Sequence, residues 1–321
     1  MDKNLLVIYN ICGIKHDNIE MWINHLQDIV DQKYNNFTVA ISGCKISESS
    51  KKTLIEFKNK YKNIVFNFTD EILPVNVTFN HTIQVCTSEI GMFDGYIYVA
   101  SDVKFGTDYD VLTKLSNLHF STNSAMTYAL VDNDHGLDGW YKECWDELNQ
   151  LLEKDHFYIN IGKTGNMHVI LFDKELYVKY DTKIIPDIFA SHCTETTFSY
   201  LAASINKKIT VHNKNVMLKH IGFADGHSVG FMDEIGWNHK LAWKHFFKCK
   251  STAEERLLSN EAKEVGFGYV DFYGGFKHDS SLYDENENHI QPEKLFNFLK
   301  KSVYLTTEEF DYTKIEYSFI K

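Results

Sequence analysis

The sequence predicts an α/β fold with a mixed, mainly parallel sheet. Three observations carry this: short apolar runs alternate with segments of helical periodicity over the first hundred residues, turn residues fall between them, and one apolar run ends directly on an acidic residue. The chain has 321 residues, 44% of them hydrophobic and 24% charged, enough for one large core with an appendage.

Leu5 to Ile11 reads as the first strand, and Ile19, Trp22, Ile23, Leu26, Ile29 and Val30 then recur at helical spacing. Phe37 to Ile41 is a second strand, stopped by Ser42-Gly43, and Ser47 to Tyr61 is an amphipathic helix. Ile64 to Phe68, a helix over Val77 to Val85, and the strand Gly95 to Ala100 follow, the last running into Ser101-Asp102. Ligands of open α/β sheets collect at the carboxyl ends of strands, so Asp102 stands in the expected place for chemistry.

Beyond it, a helix is expected over Asp108 to Leu115, a strand over Ala125 to Val131 and a helix over Trp140 to Leu152. Phe157 to Ile161 and Met167 to Phe172 flank Gly162-Lys163-Thr164-Gly165, a hairpin signal. Thr194 to Ile205 reads as a helix, Ile209 to His212 as a strand, and Val216 to His220 as another extended segment. After about residue 229 the alternation stops; Trp237 to Phe247, Thr252 to Glu264 and Pro292 to Lys301 suggest helices, and the aromatic segment Phe267 to Phe276 suits packing or a cleft wall. The division expected is therefore 1–228 for the α/β domain and 229–321 for a mainly helical extension.

The net charge of −11 disfavours a nucleic-acid partner, and any anionic ligand would need a local cation beside it. Six scattered cysteines without a C-x-x-C pair read as free thiols in a reducing compartment. The amino terminus turns polar too early for a signal peptide, and no apolar stretch approaches the ~18 residues of a membrane span. A cytoplasmic protein is the expectation. The loop Asn10-Ile11-Cys12-Gly13-Ile14-Lys15 lacks the glycines of a dinucleotide or triphosphate loop, which argues against a dehydrogenase or a nucleotidylyltransferase.

The stretch Tyr98-Val99-Ala100-Ser101-Asp102, with LLVIYNICG before it and VMLKHIG after it, resembles the glycosyltransferase-A fold, particularly family-2-like inverting enzymes and some viral relatives. The resemblance covers roughly residues 4 to 225 and implies a single Rossmann-like domain that moves a sugar from a nucleoside-diphosphate sugar to a hydroxyl acceptor such as a glycan. In that family a strand ends in Asp-x-Asp, whose last carboxylate holds Mg²⁺ or Mn²⁺ against the donor diphosphate. Asp102 matches the last position, and Ala100 replaces the first carboxylate.

The resemblance implies His220 as the second metal ligand and Glu195, at the start of a helix, as the base that deprotonates the acceptor. The family shows two adjacent acidic residues there, whereas this chain has Thr194-Glu195; Asp187 and His192 are the fallback bases. Asn10, Ile11, Ser42 and Asn80, together with Ser101 and Asp102, are implied on the nucleotide side, and Gly165-Asn166-Met167-His168 resembles the segment lining the donor sugar and acceptor. Each has a plainer reading: Asp102 as a turn residue, His220 as a core or surface histidine, Glu195 as a first-turn acid capped by Thr194. A degenerate domain, with Ala100 where the family has its first carboxylate, that only binds carbohydrate or a partner is the alternative to an enzyme.

Overall fold

A computed structural model describes residues 2–13, 17–73, 75–106, 108–133, 136–137, 154–159, 168–186, 198–212, 216–221, 248, 251–252, 255–266, 279–286, 288–301 and 314–321. The strand and helix alternation is as expected: β1 (Leu5–Cys12), α1 (Ile19–Val30), β2 (Phe37–Cys44), α2 (Glu48–Lys58), β3 (Ile64–Thr69), α3 (Val75–Ile90) and β4 (Gly95–Ala100) follow in order. Asn18 caps α1 by accepting from Met21 N, and Ser47 caps α2 by accepting from Ser50 N, so both helices start where a side-chain oxygen meets an orphan N–H.

There follow β5 (Val103–Lys104), α4 (Val111–Thr122), β6 (Met126–Tyr128), β7 (Leu130–Asn133), β8 (Gly136–Leu137), β9 (His156–Ile159) and β10 (Val169–Asp173). The chain continues with α5 (Lys174–Lys179), α6 (Phe198–Ala203), β11 (Ile209–His212), β12 (Met217–His220), α7 (Asn260–Glu264), α8 (Pro292–Leu299) and β13 (Ser318–Ile320). Among the described residues nine strands make one sheet in the order β13-β3-β2-β1-β4-β10-β6-β11-β9, and β5-β12-β7-β8 form a second. β3, β2, β1 and β4 are mutually parallel, and β10 enters antiparallel beside β4. No helix of the described residues is long and apolar enough to cross a membrane.

β1 sorts its side chains by the two-residue period of a strand: Leu6 and Ile8 enter the core shared with Phe79, Phe172 and Phe198, whereas Leu5, Val7, Tyr9 and Ile11 enter the one shared with Trp22, Leu26 and Leu54. Both faces are therefore dry, which explains the unbroken apolar run.

Three expectations need correction. The paired runs around Gly162 do not form a hairpin: β10 lies between β4 and β6, and β9 is the far edge strand beside β11. Composition explains it. All five residues of β10 are buried, which demands neighbours on both sides and both faces, whereas β9 leaves Tyr158 48% exposed. Ala125 to Val131 is two strands, because Ala129 N donates to Val169 O in the first sheet and Leu130 N to Val216 O in the second. Ser42-Gly43 does not stop β2, which runs on to Cys44 because β1 and β3 pair with it on both sides. A Cβ on Gly43 would lie 2.6 Å from Phe68 Cδ1, so the glycine is a packing requirement.

Within 229–321, the described part holds α7, α8 and the unexpected β13, which pairs antiparallel with β3. Leu295, Phe298 and Leu299 of α8 join the same core as Phe198 and Tyr200. The helices expected at 140–152 and 237–247, the 162–165 turn and the aromatic segment 267–276 lie outside the described residues.

At the opposite end of β10 from Asp102, Asp173 caps α5 through Glu175 N at 2.7 Å and lies 3.1 Å from Lys207 Nζ and 3.6 Å from His119 Nε2. Burial works to raise the Asp173 pKa, but the His119 contact, the backbone bond and Lys207 outweigh it and lower it from 3.8 to about 2. A depressed carboxylate pKa stabilises the fold above its unfolded value and loses that contribution as pH falls through the folded one. We expect Asp173→Asn to be less stable by about 2 kcal/mol at pH 7, with the difference closing between about pH 4 and pH 2, as read by urea unfolding. A difference that stays constant across that window would contradict the assignment.

Candidate functional site

Strands β1, β2 and β3 step outward in one direction, and the chain then returns to place β4 on the other side of β1. Such a reversal opens a crevice at the carboxyl ends of the two strands that diverge. Asn10 is in register with Ser42 on one side and Ala100 on the other, so the ends of β1, β2 and β4 form one rim.

Asp102 follows β4 and immediately precedes β5, whose Val103 pairs with His220 at the end of β12. Ile221 N donates to Asp102 O at 2.9 Å, which locks the two segments together. The side chains meet as a result: His220 Nε2 lies 3.0 Å from Asp102 Oδ2. His168 arrives from a third direction. It precedes β10, which runs antiparallel to β4, so the start of β10 reaches the rim where β4 ends. Ala100 N donates to His168 O at 2.8 Å, and the His168 and His220 rings sit 4.6 Å apart.

One ligand atom from each of Asp102, His168 and His220 falls within 4.8 Å of the others, with the two histidines and the aspartate half-buried or buried. The donor set suits a divalent ion. An octahedron with bonds of ~2.1 Å has cis edges of ~3.0 Å, the spacing of the Asp102–His220 pair. Burial is the largest influence on Asp102 and works to raise its pKa, but the His220 hydrogen bond and the His168 and His220 charges hold it below the usual carboxylate range. The carboxylate is therefore ionised and ready to ligate at neutral pH.

The turn that carries Asp102 is anchored from beneath. Ser101 O accepts from His25 Nδ1 at 2.9 Å and from the Tyr9 hydroxyl at 3.3 Å, and this requires the His25 proton on Nδ1. His25 and Tyr9 are both buried, so the anchor sits in a low-dielectric setting where a lost bond is costly.

The nucleotide-side residues fall into distinct places. Asn10 is half-buried on the rim, its Oδ1 accepting from Thr78 Oγ1 at 3.5 Å. Ser42 is 1% exposed and accepts from Thr82 Oγ1 at 3.0 Å. Ile11 is 1% exposed with its side chain in the core, so its offer to a ligand is its main chain. Asn80 donates to Ile185 O at 2.7 Å and accepts from Ile184 N and Ile185 N at 2.9 and 3.2 Å, which commits its amide to one loop. Glu195, Asp187, His192 and the 165–167 segment lie outside the described residues.

Sequence reasoning did not assign His168 to the metal cluster, nor Tyr9 and His25 to the Ser101 anchor. The signal for His168 was present: it directly precedes an apolar run that must be an interior strand, as Asp102 follows one with only Ser101 between.

No protein-family profile matches the chain, and no curated protein matches it. Solved structures do. A mannosyltransferase from Pyrobaculum calidifontis, in complex with GDP-Man and Mn²⁺, superposes with a TM-score of 0.53 at 9% identity over 84% of this chain and 66% of that one. The chain has the glycosyltransferase-A fold. S. aureus TarS superposes with a TM-score of 0.49 at 13% identity over 81% of this chain and 75% of that one. GalNAc-T7 with UDP, GalNAc and Mn²⁺ gives 0.48 at 10% identity over 80% and 52%. This chain thus spans just under two thirds of the mannosyltransferase's length.

On the glycosyltransferase-A fold, Asp102 occupies the turn after the strand that lies beside β1 at the switch point. His25→Phe removes a donor to the turn's carbonyl while keeping the ring's bulk. If Asp102, His168 and His220 hold a divalent ion, we expect it to weaken that binding by about tenfold, as measured by calorimetry, because Asp102 loses its support. Unchanged affinity in a folded variant would show that the anchor does not set the aim of Asp102.

Proposed function

We propose that this chain is a glycosyltransferase that moves a sugar from a nucleoside-diphosphate sugar to a hydroxyl acceptor, with a divalent metal at Asp102 and His220. The observation that carries the reading is the meeting of an ionised aspartate with two imidazoles at the switch point of a glycosyltransferase-A fold. A chain of net charge −11 needs local positive charge to hold a diphosphate, and a divalent ion on this cluster supplies both that charge and stabilisation of the departing nucleoside diphosphate.

The chain's own residues divide the remaining work. Asp102 and His220 hold the ion against the rim, while His25 and Tyr9 keep the Ser101 carbonyl, and with it the turn, in place. Asn10, Ile11, Ser42 and Ser101 border the nucleotide side, with Asn80 supporting it through the 184–185 main chain. Glu195 is the proposed base: it takes the acceptor hydroxyl proton as that oxygen attacks the anomeric carbon from the face opposite the leaving group, which inverts the configuration. We assign the catalytic unit to 1–228 and regard 229–321 as an extension that packs on it through α8 and β13.

The test is thermal unfolding with GDP-, UDP-, TDP- and CMP-sugars, with and without Mn²⁺. One donor class at about 100 times its dissociation constant should add about 2.7 kcal/mol, and the gain should vanish in Asp102→Ala. No shift with any donor in the folded protein would favour a binding-only domain, consistent with the lost carboxylate at Ala100. For the matching donor, Glu195→Gln should lower transfer by about 100-fold or more while leaving donor binding within about twofold. Unimpaired transfer would remove Glu195 from the mechanism.

A further inference from the structure

The β4 turn offers one carboxylate, Asp102, and Ala100 two positions before it offers none. The residue hydrogen-bonded to Ala100 across the sheet is His168, whose carbonyl accepts from Ala100 N at 2.8 Å. Its ring faces the His220 ring at 4.6 Å, and its ligating nitrogen belongs to the same group as Asp102 and His220. We propose that His168, which immediately precedes β10, is the third metal ligand, and that the resulting two-histidine, one-aspartate set selects transition-metal ions over Mg²⁺. The proposal rests on the reading of Asp102 and His220 as metal ligands.

Ligand chemistry carries the selectivity. Mg²⁺ prefers an all-oxygen shell and parts with its waters reluctantly, whereas imidazole nitrogens suit Mn²⁺, Fe²⁺, Co²⁺ and Zn²⁺ increasingly well. Two nitrogens against one protein oxygen tilt the site away from Mg²⁺, and a third protein ligand lets an ion bind before any diphosphate arrives. His168 also projects from the start of an interior strand flanked by β4 and β6, so its main chain is fixed before an ion binds.

The experiment measures metal binding directly, without donor and without turnover. Co²⁺ absorption and Mn²⁺ titration calorimetry are run on the full chain, on His168→Ala and on His168→Asp, with metal-free thermal unfolding to establish that each is folded. We expect the wild type to bind Mn²⁺ and Co²⁺ in the absence of nucleotide, with Mg²⁺ on the order of 100-fold weaker. His168→Ala should lose Mn²⁺ affinity by about tenfold or more and change the Co²⁺ spectrum, whereas His168→Asp should keep binding while its preference for Mn²⁺ over Mg²⁺ shrinks.

Mn²⁺ affinity within about twofold of wild type in His168→Ala, or Mg²⁺ binding as tightly as Mn²⁺ to the wild type, would overturn the role of His168. No metal bound by the folded wild type would instead overturn the metal reading of the whole cluster. Metal binding with the expected His168 dependence but no donor stabilisation would uphold this inference while contradicting the transferase reading.

Discussion

Everything at the site depends on β1 being hydrogen-bonded on both edges and packed on both faces. With β2 on one side and β4 on the other, every main-chain group of its central residues is satisfied, and its side chains divide between two dry cores. That leaves the strand no freedom to shift register, because a one-residue slip would exchange Leu6 and Ile8 with Val7 and Tyr9 between cores of different shape. Asn10 and Ala100 are consequently held opposite one another, and the turn carrying Asp102 begins from a fixed point.

The rest of the site is assembled by strands that arrive at this fixed point from distant parts of the chain. β12 brings His220 by pairing with the two-residue β5, and β10 brings His168 by inserting antiparallel beside β4. A divalent ion held by Asp102, His168 and His220 would reverse the local sign, as a phosphate-bearing ligand requires in a chain of net charge −11.

Much of the first half of the fold was legible because its strands are short, apolar and separated by helices with clear periodicity; Leu5–Cys12, Ile19–Val30 and Gly95–Ala100 are examples. What failed were inferences from turn residues and adjacency. Gly162 to Gly165 suggested that neighbours in sequence pair in space, but burial demand placed β10 in the interior and β9 at the edge. Gly43 looked like a stop and is instead a space for Phe68. Of the candidate site, Asp102 was picked out by its position after a strand and His220 by the family resemblance, and the structure brings them to 3.0 Å. His168, His25 and Tyr9 were not assigned, since their roles arise from contacts between segments 68 to 92 residues apart in sequence. Asn80 illustrates the converse: a polar residue inside α3 whose amide is engaged with the 184–185 backbone.

The most direct test of the central claim is the position of a bound ion. Crystals grown with Mn²⁺ and a nucleoside diphosphate, measured for the anomalous scattering of manganese, should show one peak bounded by Asp102, His168 and His220, with the nucleotide lying over the ends of β1 and β2. A peak at another set of side chains, or a nucleotide bound away from that rim, would contradict the account.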